Sequence, residues 1–244
     1  MTTRAMIFAA GLGTRLRPFT ESHPKALFEL NGKTLLQYQI EQLKKAGITD
    51  IIVNVHHFAQ QIVDYLQAND NFGIHIAISD ETGNLLETGG GLRHAQAFFA
   101  HEPFLACNVD ILSNIDINAL LQAHRSTDLA TVVVSERDTK RYLLFDEENR
   151  MHGWTNISTG EVRPNSLDLS QTSLHRLAFS GMQVLSEDIF QCMEGFPERF
   201  SLIDLYVANC TNHTIRAYIP TNYRMMDIGK TELLQEATLF AQSL

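Results

Sequence analysis

The chain predicts an α/β protein built on a doubly wound, mainly parallel sheet with antiparallel additions. Three observations carry this prediction: short, wholly apolar runs of strand length, helical periodicity between them, and a glycine-rich turn straight after the first run. With 244 residues, 44% hydrophobic and 19% charged, a single domain over residues 1–244 is expected. No repeat or low-complexity tract interrupts it.

Ala5 to Ala10 reads as a strand buried on both faces, as parallel strands usually are. Leu36, Ile40 and Leu43 then fall at i, i+4 and i+7, with Thr34 as N-cap and Gly47 as C-cap of a helix. Ile51 to Val55 is a second buried strand, Ala59 to Ala68 a helix and Ile74 to Ser79 a third strand. Gly91 to Phe99 is expected to be helical, Phe104 to Asn108 a strand, Ile117 to His124 a helix and Ala130 to Ser135 a valine-rich strand. This alternation is what predicts the doubly wound sheet.

From Arg141 to about Ile219 the pattern changes to short runs such as Tyr142 to Phe145 and Leu177 to Val184. These read as antiparallel additions, with Ser158 to Ser173 expected to be a long loop. Leu233, Ala237, Phe240, Ala241 and Leu244 make one apolar stripe, an amphipathic closing helix that leaves no room for an appended domain.

Composition excludes several classes. Cys107, Cys192 and Cys210 have no zinc or redox spacing and read as reduced and mostly buried. No apolar run approaches the roughly 18 residues of a membrane span, and no signal-like leader opens the chain, so a cytoplasmic protein without a membrane partner is expected. A net charge of -9 argues against nucleic acid as a partner. Within this acidic chain, Arg4, Arg15, Arg17 and Lys25 face a single acid, Glu21, in the first 25 residues, a local patch suited to an anionic ligand.

Phe8 to Pro18 reads F-A-A-G-L-G-T-R-L-R-P, a buried strand opening into glycines, a hydroxyl and two arginines, with Lys25 following in H-P-K-A-L. Physically this is a phosphate cradle: Gly11 and Gly13 allow unusual backbone conformations and close approach of N–H groups to phosphate oxygens, and Arg15 and Lys25 supply charge. It is not the dinucleotide fingerprint, which needs glycine where Leu16 stands. Nor is it a Walker loop, which would need glycine at Leu27 before Gly32, Lys33 and Thr34; those three read as a turn and a helix cap.

The string Gly11 to Thr20 with Pro24-Lys25 resembles the signature of the sugar 1-phosphate nucleotidyltransferases, G-x-G-T-R-L-x-P-x-T followed by P-K. That resemblance implies a Rossmann-like nucleotidyltransferase fold and a reaction joining an NTP to a sugar 1-phosphate with release of pyrophosphate. It also implies Mg2+, with ligands at Asp110 in Asn108-Val109-Asp110 and Asp227 in Met226-Asp227-Ile228-Gly229. The family usually has glycine where this chain has Asn108; without the family, Asp110 at a strand end reads equally as a turn former. Arg15 is implied as a partner of the β- and γ-phosphates and Lys25 as the cation near the reacting groups. Ala10, Gly11, Gly13, Thr14 and Asn108 are implied around the nucleotide. Leu86 to Leu92, L-E-T-G-G-G-L, resembles the turn whose backbone reads the base, with Glu87, Thr88 and Gly89 as its contacts; a strained surface turn before a helix is the plainer reading.

The ten histidines show no metal-binding or general-base spacing and read as structural. The sugar site cannot be copied from the family, because a mid-chain Glu-Lys-Pro element is replaced here by Gly153-Trp154-Thr155-Asn156. By position, sugar contacts are sought among Glu136, Arg141, Tyr142, Asn156 and Ser180, with Arg141 as replacement cation; each also reads as a surface or packing residue. Chain length, E-T-G-G-G and F-S-G-M at Phe179 to Met182 are most similar to N-acetylmuramate 1-phosphate uridylyltransferases of cell-wall recycling, with mannose 1-phosphate guanylyltransferase-like proteins next. UTP with N-acetylmuramate 1-phosphate is the first expectation and GTP with mannose 1-phosphate the second. A non-catalytic nucleotide-sugar sensor on the same fold is the reading from another class. A monomer is expected.

Overall fold

A computed structural model describes residues 3–99, 102–170, 173–229 and 234–244. The first half winds as expected. Strand β1 (Arg4–Phe8) runs into the glycine-rich loop, and the hairpin β2 (Glu29–Leu30) and β3 (Lys33–Thr34) turns on Asn31-Gly32, both at positive φ, a pair favoured in two-residue hairpins. Thr34 caps α1 (Leu35–Lys45), its Oγ1 accepting from Gln37 N at 3.0 Å, and Gly47 follows with φ 85°. Then come β4 (Asp50–Val55), α2 (Ala59–Ala68), β5 (His75–Asp80), α3 (Glu87–His94), β6 (Phe104–Asn108), β7 (Ile111–Ser113), α4 (Ile117–Ala123) and β8 (Asp128–Ser135).

Beyond these lie β9 (Arg141–Phe145), β10 (Met151–Asn156), β11 (Glu161–Arg163), β12 (His175–Leu185), α5 (Leu202–Asn209), β13 (Thr214–Tyr218), β14 (Met225–Asp227) and α6 (Leu234–Gln242). The main sheet runs β11-β10-β9-β12-β6-β1-β4-β5, with β8 on β12 and β13 on β8. Its pairs β6–β1, β1–β4, β4–β5 and β8–β13 are parallel, whereas long β12 is antiparallel to β6, β8 and β9. Side-chain alternation shows the double winding directly. Ala5 and Ile7 enter a core under α1, α2, α4 and α6, while Met6 and Phe8 enter one under α3 and α5.

Three expectations are corrected. The helix expected over Gly91 to Phe99 is α3, starting four residues earlier and followed by a 3-10 turn at Gln96–Phe98. Glycine's poor helix propensity is overridden there by packing, which is described with the site. The expected loop Ser158 to Ser173 contains β11, and residues 171–172 of it fall outside the described set. Helix α5 was not foreseen, because L-I-D-L-Y-V-A-N is apolar nearly all round and shows no single stripe. The closing helix is seen as α6 with Ala237 and Ala241 in the core; position 233 lies outside the described residues. All three cysteines are free thiols, but only Cys107 is buried, with Cys192 and Cys210 half-buried. No helix among the described residues is long and apolar enough to cross a membrane.

Candidate nucleotide and phosphate site

The site forms at the C-terminal ends of β1 and β6, where open α/β sheets bind ligands. Its floor is a buried polar chain. Asn54, near the C-terminal end of β4, accepts from Ala9 N at 2.7 Å and Ala10 N at 3.3 Å, and its Nδ2 donates to Glu81 Oε1 at 2.7 Å. Glu81 is buried, and burial raises its carboxyl pKa above the usual range; its other oxygen accepts from Leu86 N at 3.4 Å. The N–H of Ala10 is therefore turned inward, contrary to its expected place among the nucleotide contacts, because buried Asn54 needs a donor.

Beyond Ala10 the chain is exposed, and the N–H groups of Gly11, Leu12 and Gly13 meet no acceptor among the described residues. Consecutive free amides after a buried strand are the concave, partly positive surface an oxyanion fills. Only Gly13 needs to be glycine. It sits at φ 60°, and a Cβ there would lie 2.9 Å from both Lys25 Cβ and Thr20 Cγ2, whereas one on Gly11 would meet nothing within 4 Å. Gly13→Ala is expected to cost roughly 2–4 kcal/mol of stability in urea denaturation, summing a left-handed alanine and forced repacking. It should also raise the KM for NTP more than tenfold by moving Lys25. An unchanged KM would show that the loop carries no phosphate.

Lys25, only 7% exposed, begins a 3-10 turn and ion-pairs through Nζ with Asp110 Oδ2. Asp110 and Asp227 are brought together by the two-stranded sheet of β7 and β14, in which Asp227 pairs with Ile111 and Ile228 N donates to Asp110 O at 2.8 Å. Gln39 Nε2 and Gln42 Nε2, from α1, hold β7 through Ile111 O at 2.5 Å and Ser113 O at 3.0 Å. Exposed Arg15 reaches across to the same place: a Cβ on Gly229 would fall 2.9 Å from its Nη2 and 2.7 Å from Asp227 Oδ1. Thr14 opens the exposed turn carrying Arg15, and half-buried Asn108 ends β6 beside Gly181, whose φ is 75°.

Asp227 Oδ1 is buried without a hydrogen-bond partner. Burial first, and then the negative charge of Asp110, push its carboxyl pKa up, while Lys25, Arg15 and Arg137 pull it back. No cluster of three or more metal-ligating side chains exists among the described residues. Asp227, whose Oδ1 has no donor, with Asp110 close enough to act on its charge, suits a hard cation such as Mg2+, which commonly takes one or two carboxylates and completes its shell with phosphate and water.

The segment resembling the base-reading turn is helical. Gly89 N and Gly90 N donate to Phe200 O at 2.9 and 3.2 Å, Thr88 Oγ1 accepts from Leu202 N at 3.0 Å, and Glu87 pairs with Arg199 at 2.8 Å. A Cβ on Gly89 would lie 2.3 Å from the Phe200 ring, one on Gly90 2.4 Å from Glu198 O and one on Gly91 2.5 Å from Glu81 Oε1. The glycines thus admit residues 198–200 and Glu81, and the backbone edge at 89–90 faces protein.

The residues sought for the sugar lie just past β8 and on β9, β10 and β12. Glu136 and Tyr142 line a cavity of about 350 Å³ with Ile157 and His175, and exposed Arg141 pairs in register with Asn156. Ser180 is fully buried, its Oγ 3.3 Å from that of Ser135. A larger cavity of about 780 Å³, between α1, α4 and the end of α6, includes neither aspartate. Sequence reasoning missed Asn54 and Glu81, and a polar residue inside a buried strand was the available signal for Asn54.

Residues 4–146 match the family model described as Nucleotidyl transferase. The N-acetylmuramate alpha-1-phosphate uridylyltransferase of Caulobacter vibrioides is 44% identical over 108 residues, which are 43% of this chain and 45% of that protein. The chain thus spans about half that relative's length. The mannose-1-phosphate guanylyltransferase catalytic subunit beta of Dictyostelium discoideum is 32% identical over 214 residues, 79% of this chain and 59% of that one. Among solved structures, HddC from Yersinia pseudotuberculosis complexed with GMP-PN has a TM-score of 0.79 at 21% identity, covering 98% of this chain and 100% of that one, a likeness of fold. The family match begins at β1, spans the glycine-rich loop, Lys25 and Asp110, and takes in more than half of the residues: the chain belongs to the nucleotidyl transferase family.

Proposed function

We propose that the chain transfers a nucleoside monophosphate from an NTP to a sugar 1-phosphate with release of pyrophosphate, and that its preferred pair is UTP with N-acetylmuramate 1-phosphate. The observation that carries this reading is that Arg15 and Lys25, from the loop after β1 and the turn packed on it, meet at the Asp110–Asp227 pair. The loop and Arg15 would hold the triphosphate, and Lys25 would lie beside the reacting phosphorus. A sugar phosphate with a second pKa of about 6 is largely dianionic at neutral pH, so it needs alignment and charge neutralisation more than a general base. Mg2+ on Asp110 and Asp227, when bound, would neutralise phosphate oxygens. The preference for uridine and the muramate sugar is supported by the 44% identity to the Caulobacter vibrioides enzyme. A second reading, GTP with mannose 1-phosphate, is favoured by the longer match to the Dictyostelium discoideum protein, over 214 residues.

The test is a panel crossing UTP, GTP, CTP and dTTP with N-acetylmuramate, mannose and glucose 1-phosphates, with and without Mg2+, read by pyrophosphate release. Metal-dependent release is expected, highest for UTP with the muramate sugar. Nucleotide-sugar binding without release in every combination would replace the enzyme by a sensor.

A further inference from the structure

Glu81, the residue after β5, is 3% exposed, and its carboxylate is held by two neutral donors, Asn54 Nδ2 on Oε1 at 2.7 Å and Leu86 N on Oε2 at 3.4 Å, with no ion pair among the described residues. A carboxylate taken out of water without a cation destabilises the fold, and an apolar side chain of similar volume would fill the same space with less penalty. The charge is used on its neighbour. Asn54 turns its Oδ1 to Ala9 N and Ala10 N, the last two residues before the free amides of Gly11, Leu12 and Gly13.

An amide side chain presents an acceptor on one side and donors on the other, so an acceptor that fixes Nδ2 also fixes where Oδ1 points. Glu81 is itself pinned: its N donates to Val55 O at 2.8 Å, and its O meets His56 Nδ1 at 2.6 Å. Helix α3 closes over the pair at Gly91, where a Cβ would lie 2.5 Å from Glu81 Oε1 and 3.0 Å from Asn54 Nδ2. The carboxylate thus meets β4, the residue before α3 and, through Asn54, the chain leaving β1.

We propose that Glu81 is a positioning residue for the triphosphate: acting through Asn54, it fixes the peptide planes from which the free amides of Gly11 to Gly13 leave β1. This deepens the role given above to that loop and rests on it. Being buried beneath the loop, Glu81 touches no substrate, so its effect falls on the affinity for NTP and not on the sugar phosphate. Because it works through Asn54, the effect disappears when Asn54 is gone. Leu86 N and Gly91 meet the same carboxylate, so a displacement of α3 reaches the loop by this route.

The experiment compares wild type, Glu81→Leu, Glu81→Gln, Asn54→Ala and the Glu81→Leu/Asn54→Ala double variant with UTP, N-acetylmuramate 1-phosphate and Mg2+. For Glu81→Leu, which keeps the volume and removes the acceptor, the KM of UTP is expected to rise on the order of 10-fold, with kcat and the sugar-phosphate KM within about twofold, as for loss of a charge-assisted hydrogen bond. Glu81→Gln, whose carbonyl oxygen still accepts from Asn54, should return most of the affinity. In the Asn54→Ala background Glu81→Leu should change the KM of UTP no further, the non-additivity of residues that act in series. A purely structural role would lower the Tm and leave the KM of the folded enzyme alone. An unchanged UTP KM in Glu81→Leu, or rises that add in the double variant, overturns the proposal. If Glu81→Leu does not fold, Gly91→Ala presses on the same carboxylate from α3, and an unchanged UTP KM in that variant overturns it equally. If wild type turns over no pair in the substrate panel, the reaction itself is misread. Binding of inorganic triphosphate by calorimetry then judges Glu81 separately, and equal affinity in wild type and Glu81→Leu overturns its role.

Discussion

Lys25→Ala is expected to lower turnover by about 10² to 10³-fold with the fold retained, measured as pyrophosphate release alongside thermal melting. The size follows from the place of the side chain. Lys25 is buried, its stem passes over Gly13, and its ammonium pairs with Asp110. Its loss also leaves Asp110 and Asp227 facing each other with less positive charge nearby, and breaking a buried pair by removing one partner is strongly destabilising. The variant should therefore melt lower than wild type without metal and recover on addition of Mg2+. Near-normal turnover would remove Lys25 from the reaction.

Asp227→Asn is expected to reduce turnover comparably but to move stability the other way. Asp227 Oδ1 has no donor, and burial and Asp110 raise the carboxyl's pKa above the ordinary 3.8. The folded protein thus binds this proton more tightly than the unfolded chain. The resulting stabilisation is full below pH 3.8 and is lost as pH rises through the raised folded value, so at neutral pH the ionised carboxylate opposes folding. An asparagine removes that opposition, and the metal-free variant should melt above wild type at pH 7, show a flatter melting profile between acid and neutral pH, and lose the Mg2+-induced rise in Tm. Retention of the Mg2+ shift would show that the ion binds elsewhere.

The loop after β1 is legible in the sequence. It announces itself because its residue types answer local demands: apolar runs for a strand buried on both faces, glycine where the chain must pass over Lys25, cations beside free amides. Thr34 and Gly47 were readable for the same reason, since caps are decided within a few residues. Asp110 and Asp227 needed the family resemblance as well, because an aspartate at a strand end has an equally good life as a turn former.

What failed was non-local. Gly89 and Gly90 read in isolation as a strained turn before a helix, and they are helical because Phe200 and Glu198 occupy the space their missing Cβ atoms leave. The sugar side was sought at Glu136, Arg141 and Asn156 by position along the chain; Glu136 lines a cavity with Tyr142, and Arg141 and Asn156 pair across β9 and β10, an arrangement set by strand register.

By itself, then, the sequence determined the doubly wound sheet and the glycine-rich loop after β1, since these depend on periodicity and residue types close together in the chain, while the two aspartates were named only through the family resemblance. The tertiary structure decided that Asn54 and Glu81 anchor the loop from beneath and that β7 and β14 hold the aspartates side by side. Those facts depend on register between strands far apart in the chain, and a one-residue slip would turn every such side chain to the opposite face.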